Sequence, residues 1–243
     1  MSVAEGLSGT SRGVAALCEA IRDGDMDACE RMLCDRLACV RVNAADRALR
    51  TPLHHAAAGC GDSTPQLVEL LVRHGADIHA RDKYGEIPLH RVNFNMPKSV
   101  PVARALLEAG TDVNAVTEAL FGMTTFTWVI FVASTHGIDA PLEFIESLIV
   151  RHGADVNAAD RDLRTPLHRA SAGRSDSTPK LLKLLVRHGA NVHARDRYGN
   201  ISLHMACGSD MIPSTAAVQA LLAACTASGR AGSAEEPALK KKA

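Results

Sequence analysis

The stretch Arg50-Thr51-Pro52-Leu53-His54 decides how this chain reads, because it returns as Arg164-Thr165-Pro166-Leu167-His168. Residues 41–90 laid on 155–204, a shift of 114, agree at 36 of 50 positions. The same Pro-Leu-His block echoes at Pro88–His90 and in Ser202-Leu203-His204. A block recurring every 36 to 41 residues marks a repeat array. Each unit of such an array packs only on its neighbours, so the core grows by stacking.

Each copy of the block opens a helix. Thr51 stands at the cap and Pro52 in the first turn, where its missing N–H costs nothing. Leu53–Ala58 is short and alanine-rich, which lets a neighbouring unit approach closely. After the loop Gly59–Pro65, Thr64-Pro65 repeats the start signal for a second helix with Leu67, Leu70 and Leu71 on its inner face. Gly75 ends that helix in a left-handed conformation, and Ala76 through Gly85 form a turn-rich hairpin to the next unit. Upstream, Val14, Leu17, Cys18 and Ile21 share a helical face from Gly13, and Met26, Cys29, Met32 and Leu33 mark a second helix. That pair lacks the block, as suits an end unit whose outer face meets water.

Thr-Pro-Leu-His-x-Ala opening a helix pair, followed by Leu-Leu-x-x-x-Gly-Ala-Asp-x-x-Ala-x-Asp, resembles the ankyrin repeat. The matching residues are Thr51–His54 with Gly75-Ala76-Asp77, Asp112–Ala115, Gly153–Ala158, Thr165–His168 and Gly189-Ala190-Asn191. The resemblance covers roughly 13–225 and implies an all-α ankyrin-repeat solenoid of about six helix-pair units with hairpin connectors. The units are 13–50, 51–86, 87–123, 124–164, 165–200 and 201–225, with a frayed 1–12 and a disordered tail over 226–243. A shift of 114 residues is three units, so a triplet has been duplicated.

Two departures stand out. The units exceed the family's usual length of about 33 residues, with extra residues between paired helices at Gly59–Pro65, Phe94–Pro101, Gly173–Pro179 and Cys207–Pro213. Such loops, with Arg-His-Gly-Ala and Asp-x-Tyr-Gly, are similar to irregular poxviral ankyrin proteins. Those relatives commonly carry a C-terminal F-box-like segment, for which no room is expected after Cys225. The second departure is the unit 124–164, whose block is blurred into Thr124-Thr125-Phe126-Thr127-Trp128, so that Thr124 or Thr127 could hold the first position. This unit and the residues just before it contain the single Trp and four of the five Phe, at 121, 126, 131 and 144. These aromatics either fill a widened inter-helix space or expose a binding hot spot, with Trp128 the first residue to inspect.

The composition narrows the function classes. Lys+Arg and Asp+Glu number 27 each, so no overall field draws in nucleic acid or an anionic membrane. The longest apolar run, Ala119–Ser134, falls short of the roughly 20 residues a span needs, and no signal peptide is visible. Cysteines 18, 29, 34, 39, 60, 207 and 225 have no paired spacing and read as free thiols in a reducing compartment. The expected setting is intracellular and cytoplasmic, with the nucleus as an alternative given the Lys240–Lys242 run, or the host cytoplasm for a viral protein.

Eleven histidines invite a metal or catalytic reading. His54, His90, His168 and His204 occupy the block, where the resemblance implies a hydrogen bond to backbone between units. His74, His152 and His188 precede helix-ending glycines, where a ring suits the helix C-terminus. His79 and His193 stand where Asn43, Asn114 and Asn157 stand elsewhere. Only His55 and His136 lack a repeat role. His54, His55 and Cys60 match no zinc spacing, and the twin copy replaces the last two by Arg169 and Arg174. No nucleophile elbow or phosphate loop occurs, and Asp46, Asp82, Asp160 and Asp196 share one hairpin-turn position. No metal, cofactor or catalytic residue is expected, and the chain is read as a non-enzyme.

What remains is a protein-binding surface. By the resemblance, hairpin tips and first helices form a concave face that holds a protein partner, with no nucleic acid or membrane and with the chain monomeric. The candidate contacts are Arg47, Leu49 and Arg50; Lys83 and Tyr84; Arg161, Leu163 and Arg164; Arg197 and Tyr198; then His55, Arg91 and Arg169 from first helices, and Trp128. Tyr and Arg concentrate interface energy, although Leu49 and Leu163 could instead pack inward. The alternatives are a substrate-recognition adaptor for a ubiquitin ligase or a viral host-interaction protein, and more remotely a nucleic-acid binder.

Overall fold

The computed structural model describes residues 3–34, 42–59, 64–94, 99–119, 121–136, 142–173, 175–207 and 215–232. Over these residues the chain forms six pairs: α1 (Val3–Asp23) with α2 (Met26–Cys34), α3 (Pro52–Ala58) with α4 (Thr64–Arg73), and a 3-10 turn (Pro88–Arg91) with α5 (Ser99–Glu108). The second three are α6 (Thr125–His136) with α7 (Leu142–Val150), α8 (Pro166–Ser171) with α9 (Thr178–Arg187), and α10 (Ser202–Cys207) with α11 (Thr215–Gly232). The described residues hold no strand; their one extended pairing is the antiparallel bridge Val116–Thr124.

Apolar side chains at helical spacing make the stack. Leu53, Ala56 and Ala57 of α3 are fully buried, and so are Leu67, Val68, Leu70 and Leu71 of α4. The first elements of successive pairs lie against one another, α1 on α3 on the 3-10 turn, and α6 on α8 on α10. One continuous apolar core runs from Leu17 to Leu221, widened at α6 and α7 by the fully buried Phe126 and Phe144.

Three elements differ from the sequence reading. Helix α1 starts at Val3, so the segment 1–12 expected to fray is helical from that residue. Helix α11 runs on to Gly232, past Thr226, where a disordered tail was expected. The stretch read as too small for a core is rich in alanine, the best helix former; residues 233–243, with Lys240–Lys242, lie outside the described residues. The third unit opens with a 3-10 turn instead of an α-helix. Val92-Asn93 stand where α3 has Ala56-Ala57, and a β-branched residue followed by Asn extends a helix poorly.

The hairpins are built on one carboxylate each. Asp46 accepts the amides of Ala48 and Arg50, Asp82 those of Tyr84 and Glu86, Asp160 those of Asp162 and Arg164, and Asp196 those of Tyr198 and Asn200. Asp82, Asp160 and Asp196 are buried. The hairpin third along the chain replaces the carboxylate with Thr117, whose hydroxyl accepts the amide of Ala119. Closing each turn requires a left-handed residue three positions after the Asp. Gly85 (φ 72°) and Gly199 (φ 80°) serve in two units, but Leu49 (φ 59°) and Leu163 (φ 58°) serve in the other two.

Candidate partner-binding surface

The block histidines are consumed by the scaffold. The Thr51 amide donates to His54 Nδ1 at 3.1 Å, so the ring proton sits on Nε2, which donates to the Glu86 carbonyl of the next hairpin at 3.0 Å. His168 repeats this from the Thr165 amide to the Asn200 carbonyl, and His90 from the Ile87 amide to the Ala115 carbonyl. His204 accepts the Ile201 amide in the last described unit. Burial pushes His54, His90 and His168 down, against the opposing pull of their carbonyl acceptors, and takes His90 to about 4. These rings are neutral donors at neutral pH.

In the unit 124–164 the register resolves at Thr124. Thr127 takes the place of the histidine, its amide donating to Thr124 Oγ1 at 3.1 Å and the two hydroxyls lying 3.0 Å apart. Burial pushes the Cys18 and Cys29 thiols up to about 11. Among the described residues, no group of three or more His, Cys, Asp or Glu side chains converges.

Six of the candidate contacts are tied to hairpin carboxylates, five of them below the tips and the sixth, Arg197, on Asp162 at 2.9 Å. His55 meets Asp46 at 3.1 Å, Arg91 meets Glu86 at 3.0 Å, and Arg169 Nε meets the buried Asp160 at 2.8 Å. Arg50 and Arg164 reach forward to the buried Asp82 (3.8 Å) and Asp196 (3.5 Å) of the following hairpins. Burial raises the carboxyls of Asp46 and Asp196, yet the amides and partners around them hold both below the ordinary carboxylate value. His55, unexplained from sequence, is thus the counterpart of Arg169 on Asp160; the side chain of His136, with Cys60 and Arg174, lies outside the described residues.

The tips are different. Arg47, Lys83, Arg161 and Arg197 are exposed. Leu49 and Leu163 are each 54% exposed, Tyr84 45% and Tyr198 67%, so the leucines point outward rather than into the stack. The intervening tip presents Phe121, 65% exposed and also left-handed at φ 55°. Sequence reasoning noted Phe121 but left it out of the contact set; its Phe-Gly-Met run before Thr124, at the place of the other tips, was the available signal. Neighbouring tips are joined by backbone: Lys83 donates to the Ala48 carbonyl, Arg161 to Phe121 and Arg197 to Asp162, at 2.8 to 3.0 Å. The aromatic and aliphatic tip residues therefore form one row.

Trp128 is half-buried against Phe131, with ring centroids 5.7 Å apart. It lines a groove of about 250 Å³ between the 3-10 turn and α6, together with Glu86, His90, Arg91 and Phe94. A second groove, about 370 Å³, opens between α5 and α7 beside Arg104, Glu146 and Arg151. Both lie where the third and fourth units meet.

A family model described as "Ankyrin repeats (3 copies)" matches residues 17–117 and again 130–229. Ankyrin repeat and SOCS box protein 6 of Pongo abelii is 36% identical over 98 residues, 40% of this chain and 22% of that protein. The putative ankyrin repeat protein FPV233 of fowlpox virus is 47% identical over 49 residues, 20% of this chain and 9% of that protein. The chain thus spans about a fifth or less of the lengths of these relatives. Among solved structures, the ankyrin repeat domain of Bcl-3, described as a member of the IkappaB protein family, superposes with a TM-score of 0.65 at 27% identity. That match covers 93% of this chain and 89% of the other. Two three-unit matches, meeting at the same junction as the duplicated triplets, together with bridging histidines and Asp-closed hairpins, place this chain in the ankyrin-repeat family.

Proposed function

We propose that the chain is a non-catalytic protein-binding module that holds a protein partner along its row of hairpin tips and the adjoining first helices. The carrying observation is the exposed apolar row Leu49, Tyr84, Phe121, Leu163 and Tyr198, one residue per tip. It stands on a scaffold whose recurring block histidines and hairpin carboxylates already bond within the fold. Aromatic and aliphatic side chains held at fixed spacing cost little ordering on binding. Five described cysteines are free thiols, which suits a reducing, intracellular and cytoplasmic setting. Among the described residues no helix is long and apolar enough to cross a membrane. The chain acts as a monomer in this reading.

Affinity purification with mass spectrometry tests it, comparing the parent with a Tyr84→Ala, Phe121→Ala, Tyr198→Ala variant and with Lys183→Ala on α9. A partner lost from the tip variant and kept by Lys183→Ala supports the reading. A partner kept by both places the contact elsewhere.

One observation favours a second reading, a substrate adaptor for a ubiquitin ligase. The Pongo abelii relative is named for a SOCS box as well as its repeats. In that reading the tips hold the substrate and a further module recruits the ligase. Absence of a cullin from the purified complex would dismiss it.

A further inference from the structure

The tip row divides by backbone conformation and sequence into two matching pairs. In the first, Leu49 is left-handed and Tyr84 stands on the next tip, the two joined by the Lys83 amide on the Ala48 carbonyl at 3.0 Å. In the second, Leu163 is left-handed and Tyr198 stands next, joined by the Arg197 amide on the Asp162 carbonyl at 2.8 Å. The leucines are equally exposed, at 54%. Each pair also carries two exposed cations, Arg47 with Lys83 and Arg161 with Arg197. Lys83 lies 4.7 Å over the Tyr84 ring, and Arg197 lies 5.7 Å from the Tyr198 ring.

Neither leucine is explained by folding. Glycine closes the same turn at Gly85 and Gly199, without the clash that Cβ meets in a left-handed residue. A leucine left 54% exposed there gains only partial burial in the fold and strains the backbone. Strain retained at an exposed apolar residue points to a use outside the fold, and it is present in both copies.

Resting on the protein-binding reading above, we propose that the chain carries two equivalent docking subsites. One lies across the Leu49 and Tyr84 tips and one across the Leu163 and Tyr198 tips. Each accepts an acidic segment with apolar side chains, so the partner presents that segment twice, in tandem or by twofold symmetry. The two leucines and tyrosines supply the apolar contact, and the paired cations select carboxylates. The subsites differ at two charges: Asp162, ion-paired with Arg197 at 2.9 Å and Arg164 at 3.8 Å, replaces Ala48, and Asn200 replaces Glu86, which is buried and ion-paired with Arg91 at 3.0 Å. Glu86 is turned into the fold on Arg91, so the partly exposed Asp162 is the extra negative charge that meets a bound segment, and the second subsite is the weaker for an acidic one. An exposed pair of this kind changes affinity by a factor of about 2 to 5.

The test uses the full chain and a random peptide library displayed on phage, followed by titration of the enriched peptide as a synthetic probe. Enriched peptides are expected to place Asp or Glu beside Leu, Phe, Tyr or Trp, and the probe to bind twice per chain. Leu49→Gly removes one binding event and Leu163→Gly the other, with the urea midpoint of each variant unchanged or raised. The site left in Leu163→Gly is the tighter, by that factor of about 2 to 5, and Asp162→Ala closes the gap. One probe per chain, or two unaffected by either leucine, overturns the duplicated subsites while leaving the protein-binding reading intact. So does a doubled mass in light scattering that Leu49→Gly abolishes, which would make a second copy of this chain the occupant. Failure to enrich any peptide, with no partner captured by the parent chain, overturns both.

Discussion

Leu49 and Leu163 hold a backbone conformation that costs an L-residue about 1–2 kcal/mol. Glycine relieves that strain but loses about 0.5–1 kcal/mol more chain entropy on folding. Leu49→Gly is therefore expected to leave stability unchanged or to raise it by up to about 1 kcal/mol, read from urea denaturation. A clear loss would mean that the leucine packs on the fold. The bridging histidines act in the opposite sense. His90 is held at about 4 against an ordinary 6.5, so below pH 6.5 the unfolded chain takes up a proton that the folded ring refuses. Stability is complete above that value and falls as pH drops toward about 4, by about 3 kcal/mol for His90 alone at 1.36 kcal/mol per pKa unit. His54 and His168 shift in the same direction. The depressed carboxyls of Asp46 and Asp196 contribute stability above their ordinary 3.8 and lose it only below that, as pH falls through their folded values. Urea midpoints across pH 7 to 4 should decline steadily; a flat profile would mean that the histidines are not buried neutral donors.

At the scale of elements, the twin copies stop being equivalent where their neighbours differ. Gly59 and Gly173 are counterparts under the 114-residue shift. A methyl group at Gly59 would lie 3.1 Å from the Ala56 carbonyl, within its own unit. At Gly173 it would collide with the Cβ and carbonyl of Ser134, near the end of α6 in the preceding unit. The Ser134 carbonyl also accepts the Ser175 amide at 3.0 Å, so the two segments cannot simply separate. Gly173→Ala should cost about 1–3 kcal/mol by overpacking and Gly59→Ala less; equal losses in thermal or urea unfolding would contradict that. This contrast was not legible in sequence, since both glycines sit in the same motif. The helix starts, the left-handed helix ends at Gly75 and Gly189 and the Asp-closed hairpins were legible, because each depends on a few adjacent residues. The 3-10 turn at Pro88–Arg91 and the helical stretch Val3–Gly13 were missed, since weak local preferences decided them.

Across the whole molecule, the duplicated triplets meet at the junction of the third and fourth units. Grooves of about 250 and 370 Å³ open there, while Phe94 against Phe144 (6.4 Å between centroids) and Asn114 bonded to Gly153 and Asp155 hold it closed. Repeat arrays sum local unit and interface terms, so the weakest interface yields first. Trp128 lines the junction and is the only Trp. Its fluorescence should change at lower urea than the far-ultraviolet circular dichroism; coincident curves would mean that the six pairs unfold as one.

The sequence by itself determined the repeat, its family, the paired helices and the scaffold role of the block, because capping, helix termination and turn closure are local and recur at fixed spacing. Only the tertiary structure decided what each candidate contact does. Arg50, Arg91, Arg164, Arg169 and His55 stand at positions that resemble a binding face, yet carboxylates from their own or the next hairpin hold them. Leu49, Phe121 and Leu163 resemble core residues, yet stand in solvent on left-handed turns. A charge is captured or free, and an apolar side chain inside or outside, according to which unit stacks beside it.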